Sequence, residues 1–151
     1  IFGIVLNITA GIGAFIFGFL DDKLGGKITI QITLISLIFS GLLAIIAQTK
    51  FLFWVAGIMV GIFSGPNQAA SRSLMGRFTP NSKENAFYGF FAFSGKMTAF
   101  IGPFILGILT EYFNSQRIGI SIVVILFSVG LLLLKSVDEN KGISDALSLK
   151  N

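Results

Sequence analysis

Lys96 restricts the chemistry open to this sequence more than any other residue. It interrupts an otherwise uncharged stretch that runs from Asn85 to Thr110. A lysine near the centre of a bilayer costs roughly 2.5 to 3.5 kcal/mol on insertion scales unless its charge is compensated. Four partners are open: a backbone carbonyl, a carboxylate outside this sequence, a water-filled cavity, or an anionic group of a bound solute. A Lys96 side chain that faces lipid would exclude a functional contact.

The acidic residues of this sequence cannot serve as that partner. Each lies at the edge of an apolar run or in the polar tail, beyond the ~6 Å reach of a lysine side chain at mid-membrane. They are Asp21, Asp22, Glu84, Glu111, Asp138, Glu139 and Asp145.

Other polar side chains lie within or beside the apolar runs. Asn67 and Gln68 follow Pro66, which leaves one helix carbonyl without its N–H donor and favours a kink. Their amides could bind a polar solute or bridge two helices, and the sequence favours neither. A mid-membrane groove lined by Lys96, Asn67 and Thr98 would indicate solute binding.

Arg72 lies about one turn beyond these amides, at the edge of its apolar run. It could pair with Asp22 or with Glu84 as a gate contact. It could equally be an interfacial anchor whose charge only fixes topology.

Residue types that are missing exclude several classes of site. The sequence has no cysteine and no histidine, so thiol chemistry, Cys/His zinc sites and histidine general bases are excluded within it. No carboxylate lies at mid-membrane, so we expect no enzyme, no metal and no cofactor. A dyad of Lys96 with Ser94 or Ser121 stays formally open, but nothing else polar converges on it.

The composition predicts an all-α membrane protein. Hydrophobic residues make up 54% of the 151 positions and charged residues only 12%, against about 25% charged in soluble domains. The charged residues divide the chain into five apolar stretches, each close to the ~20 residues that a helix needs to cross a bilayer. These stretches lack the alternation of apolar and polar residues that is typical of membrane β-strands. The predicted spans are about 1–20, 28–49, 51–71, 86–110 and 118–134, followed by a polar tail, 136–151.

The distribution of Lys and Arg predicts the orientation. Lys50 and Arg117 lie between spans on one side, whereas eight basic residues lie on the other: Lys23, Lys27, Arg72, Arg77, Lys83, Lys135, Lys141 and Lys150. The positive-inside rule puts those eight and the tail in the cytoplasm and Ile1 outside, in a plasma or bacterial inner membrane. This pattern fits membrane topology better than nucleic-acid binding. Aromatic residues near the outer face read as an interfacial belt: Phe51, Phe53, Trp54, Tyr112 and Phe113.

Glycine is distributed unevenly among the spans. Gly57, Gly61 and Gly65 lie on one face of the third span, which favours close helix packing in lipid. Because the first, third and fourth spans hold most glycines, we expect them to be the closely packed or moving elements, with the second and fifth facing lipid.

The first loop, between the first two spans, carries a motif. It resembles the major facilitator superfamily motif Gly-x-x-x-Asp-(Arg/Lys)-x-Gly-(Arg/Lys)-(Arg/Lys), with Gly26 in place of a basic residue. The matching residues are Gly18, Asp22, Lys23, Gly25 and Lys27. The resemblance implies that Asp22 helps to latch the cytoplasmic side shut.

Longer motifs narrow the resemblance. The segments 64–77, 87–89, 94–98 and 115–119, with Pro80, Lys83, Glu84 and Gly102-Pro103, are similar to the vacuole-effluxer-like permeases of that superfamily. The resemblance covers about Gly18 to Leu134 and implies helices eight to twelve of twelve, with the third span beside the transport path. Because the sequence starts at Ile1 rather than Met, we expect upstream helices of the same chain.

The resemblance implies a secondary active transporter that moves a small polar metabolite, amino acids among the candidates, by alternating access. Its partners would be the solute, the lipid bilayer and the upstream helices. A non-transporting scaffold or an intramembrane enzyme is the alternative. The sequence identifies neither the solute nor the coupling ion.

Overall fold

The structure is a computed structural model that describes residues 2–148. Ile1, the first residue of the predicted first span, and residues 149–151, the end of the predicted tail, lie outside the described residues. The described part is helical and contains no strand. Its α-helices are α1 (Phe2–Leu24), α2 (Gly26–Ile46), α3 (Lys50–Phe78), α4 (Glu84–Phe113), α5 (Gln116–Lys135) and α6 (Glu139–Ser148), with a 3₁₀ turn at Asn81–Lys83.

Five of these helices, α1 to α5, are long and apolar enough to cross a membrane. This confirms the predicted all-α membrane fold. The helices extend past the uncharged stretches, and α3 alone has 29 residues, about 43 Å at 1.5 Å per residue. Their polar ends therefore reach beyond ~30 Å of hydrocarbon.

Short connections make successive helices antiparallel. At Gly25 the backbone has a φ of 89°, a conformation that costs glycine least, and this lets α2 start directly after α1. Thr49 accepts a hydrogen bond from the Leu52 N–H and caps α3. Asn114, with a φ of 48°, ends α4. We call the end where α1, α3 and α5 finish the charged end, and the opposite end the aromatic end.

The spans form a row rather than a closed bundle. α3 packs against both α1 and α2, α2 also packs against α5, and α5 packs against α4. α4 makes few contacts with α3, one of them where Tyr88 lies against Gly76 near the charged end. One side of α4 is therefore uncovered by the described residues.

The expectation that the second span faces lipid is wrong. α2 is the most buried of the five spans and α4 the least. The packing face of α2 combines buried hydroxyl residues, Thr29, Thr33 and Ser40, with a glycine and apolar residues, Gly26, Ile30, Leu34 and Leu37. Each hydroxyl lies within hydrogen-bond distance of a carbonyl one turn back, so these small side chains pack without an unpaired donor.

The glycines of α3 lie against α1. A Cβ added at Gly57 would overlap the ring of Phe2, one at Gly61 the Thr9 hydroxyl, and one at Gly65 the carbonyl of Ala10. At Gly61 and Gly65 the added methyl group would meet backbone atoms of α1, so glycine is required at these two successive turns of α3, whereas at Gly57 it would meet only the Phe2 side chain.

Gly13 makes the reciprocal contact from α1. A Cβ added there would overlap the carbonyl oxygen of Ile62. Pro66, four residues later, has no N–H to donate to that carbonyl. The Ile62 oxygen, which faces Gly13, therefore lacks the N–H donor that a helix normally supplies four residues later.

Gly13→Ala should destabilise the α1–α3 pair by about 1–3 kcal/mol, because the added methyl group collides with backbone rather than with a movable side chain. Gly11→Ala is the matched control, since a Cβ there meets no described atom within 4 Å. Thermal unfolding in detergent, followed by circular dichroism, compares the two variants. Equal melting temperatures would contradict the proposed close contact.

Candidate functional site

An arginine joins three chain segments at the charged end. The guanidinium of Arg77, at the end of α3, lies 3.2 Å from Oδ2 of Asp21 in α1 and 3.4 Å from Oε1 of Glu139 in α6. Asp21 is only 8% exposed, and its Oδ1 is buried without a hydrogen-bond partner among residues 2–148. Arg77 is therefore the main source of compensation for this buried carboxylate. We call Asp21, Arg77 and Glu139 the Arg77 cluster.

The second role of Glu139 is to cap α2. Its carboxylate oxygens accept hydrogen bonds from the backbone N–H groups of Gly26 at 3.0 Å and Lys27 at 3.1 Å. These are among the first N–H groups of α2, which have no partner within the helix, and the helix dipole favours an anion there. A Cβ at Gly25 would lie 3.1 Å from one of these oxygens, so glycine leaves the approach open.

Lys27 completes the junction from the other direction. Its ammonium donates to the carbonyls of Lys135 and Val137. These carbonyls belong to the end of α5 and the residues just after it, where helix carbonyls lack intrahelical donors and a cation is favourable. The start of α2 is thus bonded to both α5 and α6.

The predicted loop motif divides into residues inside and outside this junction. Gly25 and Lys27 belong to it. Gly18, Asp22 and Lys23 are exposed, and a Cβ at Gly18 would meet nothing within 4 Å.

The structure does not bring Arg72 to Asp22 or to Glu84. Within residues 2–148 the ion pairs are those of Arg77, and Arg72 is exposed. Successive helix residues point about 100° apart, so Asp21 reaches Arg77 while Asp22 is exposed, at a cavity between α1 and α3. Arg72 and Arg77 are five residues apart on α3, so their side chains point about 140° apart.

The sequence reasoning therefore missed the whole Arg77 cluster. One signal was available: Gly26 stands where the motif carries a basic residue, which leaves room and free N–H groups for a carboxylate. The identity of that carboxylate, 113 residues along the chain from Gly26, had no local signal.

Asn67 bridges two helices. The Thr33 hydroxyl of α2 lies 3.2 Å from its Oδ1, and Asn67 is half-buried, whereas Gln68 is exposed. Of the two alternatives for the Asn67 amide, this geometry matches the helix bridge.

Lys96 and Thr98 lie on different sides of α4. Thr98 lines a cavity of about 370 Å³ against α5, together with Gly102, Leu106 and Val123. Lys96 is exposed and forms no ion pair within the described residues. Because it lies two residues before Thr98, it points about 160° away from it. The structure thus does not bring Lys96, Asn67, Gln68 and Thr98 into one groove.

Comparison with known proteins identifies the family. The family described as "Vacuole effluxer Atg22 like" matches residues 1–147. The chain belongs to the Atg22-like vacuole effluxer family. This confirms the resemblance found in the sequence motifs and, with the five spans, makes the chain part of a multi-pass membrane protein.

Individual relatives of the Atg22-like chain come from bacteria and fungi. An uncharacterized MFS-type transporter, YxiO of Bacillus subtilis, is 26% identical over 135 residues, which cover 89% of this chain and 32% of the relative. Autophagy-related protein 22 of Candida glabrata is 31% identical over 111 residues, which cover 70% of this chain and 20% of the relative. The corresponding protein of Kluyveromyces lactis is 25% identical over 130 residues, which cover 79% of this chain and 26% of the relative. The chain therefore spans about a fifth to a third of these relatives, and no solved structure matches it.

Arg77→Gln should lower the stability of the chain by about 1–3 kcal/mol, because it leaves the buried carboxylate of Asp21 without a partner. Arg72→Gln removes the same charge from the same helix at an exposed position and should change stability by less than about 0.5 kcal/mol. Thermal unfolding in detergent distinguishes them. An equal effect of the two substitutions would show that the Arg77 ion pairs do not stabilise the fold.

Proposed function

We propose that this chain is most of one half of a major facilitator superfamily permease, which moves a small polar metabolite across a membrane by alternating access. Membership of the Atg22-like family, together with a relative named as an MFS-type transporter, carries the proposal. In such carriers two helical halves rock about a site near the bilayer midplane. Five spans arranged as an open row are consistent with part of one half.

The open side of the row supports the presence of further helices in the intact protein. One face of α5 carries Val123 and Phe127 in the cavity against α4, and Gly130 and Leu134 in a second cavity, of about 230 Å³, against α2 and α3. These residues recur at helical spacing, so the two cavities follow one another along an apolar groove. A helix from the rest of the same chain is the partner that we propose for it.

The orientation that we propose puts the charged end in the cytoplasm. Of the eight basic residues counted on that side, the seven other than Lys150 are described and belong to the charged end, whereas Lys50 and Arg117 belong to the aromatic end. The positive-inside rule then predicts a cytoplasmic α6, in a plasma or bacterial inner membrane.

A gate that closes the cytoplasmic side of such a carrier needs side chains that contact the other half of the protein. The Arg77 cluster links helices of the same row, so it cannot open and close a path between two halves. Asp22 and Arg72 are exposed at the charged end and free of ion pairs with described residues. We therefore assign the gate contacts to these two, each with a partner in the other half of the same protein.

Lys96 is the residue that we propose as the solute contact on α4. Its charge requires compensation at mid-membrane, and its side faces away from α5. A carboxylate is the simplest compensating group, so the expected solutes are small zwitterionic or anionic metabolites, with amino acids among them. An intramembrane enzyme gains no support: the hydroxyls of Ser94 and Ser121 donate to the carbonyls of Phe91 and Ile118.

Lys96→Met in the intact protein, reconstituted into liposomes and assayed with a panel of labelled amino acids, should lower kcat/KM about tenfold or more because a charge-assisted contact is lost. Lys96→Arg should keep part of the activity. Lys83→Met, at the exposed charged end, is the matched control and should transport normally. Unchanged transport by Lys96→Met would remove Lys96 from the site.

Reversing one gate charge, with Asp22→Arg or Arg72→Asp, should slow transport several-fold because each residue meets a partner in the other half. The double reversal should not restore transport, since the two residues are not partners of each other. Recovery in the double variant, measured in the same liposome assay, would instead show that Asp22 and Arg72 pair directly in another state of the cycle.

A further inference from the structure

The last helix of the described chain, α6, is docked on the charged end rather than projecting from it. We propose that α6 is a clamp that fixes the ends of α1, α2 and α3 to one another, and that its docking through Glu139 is required for fast transport. The transport part of this inference rests on the proposed function. The docking itself is a property of the chain and can be tested without a transport assay.

Glu139 supplies the polar part of the clamp. One carboxylate receives hydrogen bonds from two backbone N–H groups of α2 and from Arg77 of α3, and through Arg77 it is coupled to Asp21 of α1. Its side chain is only 15% exposed. A charged group that is largely withdrawn from water and fully paired is expensive to release, because both the carboxylate and its donors must be rehydrated.

The apolar face of α6 supplies the rest. Ala146 is 5% exposed, and a Cβ added at Gly142 would lie 2.8 Å from the ring of Phe78. Ile143 and Leu147 close one wall of a cavity of about 310 Å³ beside Tyr88. The helix has only ten residues, which is too short to be stable alone in water. Its helical structure therefore depends on this docking.

Clamping has a consequence for motion. In a carrier whose halves rock as rigid bodies, helix ends within one half must keep their relative positions while the path opens and closes. The connection between α1 and α2 is a single residue in a glycine conformation, and the α2 N-terminus has no side-chain cap of its own. The carboxylate of Glu139 provides that cap from α6.

Hydrogen exchange in the intact protein tests the docking. With Glu139→Gln, amides of α6 and of residues 26–28 should exchange about tenfold faster, since the docking loses a charge-assisted contact. Asp145→Asn removes the same charge from the same helix at an exposed position, and should leave exchange unchanged. Unaltered exchange in Glu139→Gln, or equal acceleration in both variants, would overturn the clamp.

A second pair of variants perturbs docking without changing charge. Gly142→Leu forces the side chain against Phe78, whereas Ser144→Leu places the same side chain at an exposed position of α6. Gly142→Leu should reproduce the faster exchange of α6, and Ser144→Leu should not. Normal α6 protection in Gly142→Leu would also overturn the clamp.

Transport assays of the same variants separate the two proposals. Glu139→Gln and Gly142→Leu should both transport several-fold more slowly than their controls. Equal or faster transport, with α6 released, would overturn the requirement of docking for fast transport. If no variant and no unmodified protein transports any tested solute, the proposed function fails, and the exchange data alone still decide whether α6 is a clamp.

Discussion

Hydrocarbon solvates neither a charged side chain nor an unpaired backbone N–H, and this constraint arranges the polar contacts of the chain. Nearly all charges are displaced to the ends of the spans, and at the charged end Glu139 and Lys27 meet the free N–H and carbonyl groups of helix termini. The Arg77 cluster and Lys27 are the result: opposite charges and helix ends compensate one another at the charged end. Lys96 is the exception, and the proposed solute contact depends on it.

Within the membrane, close backbone approach replaces charge as the stabilising interaction. α3 uses glycines toward α1 and an amide toward Thr33 of α2, so one helix can contact two neighbours at different depths. At the contact between Gly13 of α1 and the Ile62 carbonyl of α3, Pro66 leaves the carbonyl without a helix donor and Gly13 leaves space for it. This explains why α3, rather than a more hydrophobic span, joins α1 to α2.

The sequence predicted the number and type of spans because its charges, Lys96 excepted, fall between or at the edges of the long apolar stretches. It also predicted which glycines of α3 share a face. It failed for α2, whose packing face mixes Thr29, Thr33 and Ser40 with buried apolar residues, because composition does not show which faces of an apolar helix are covered by neighbours. It chose Asp22 and Arg72 over Asp21 and Arg77 because the rotation of a helix about its axis depends on tertiary contacts, not on local spacing.

The cap on α2 also bears on biosynthesis. Residue 139 leaves the ribosome long after residues 26 and 27 have been inserted, and 113 positions separate Glu139 from Gly26. Until then, water or lipid headgroups must satisfy the first amides of α2. Closing so long a loop is slow compared with forming local helices. An early turn of this protein therefore reaches its final form only when synthesis has passed α5, and a ribosome that stalls before that point leaves an unfinished junction.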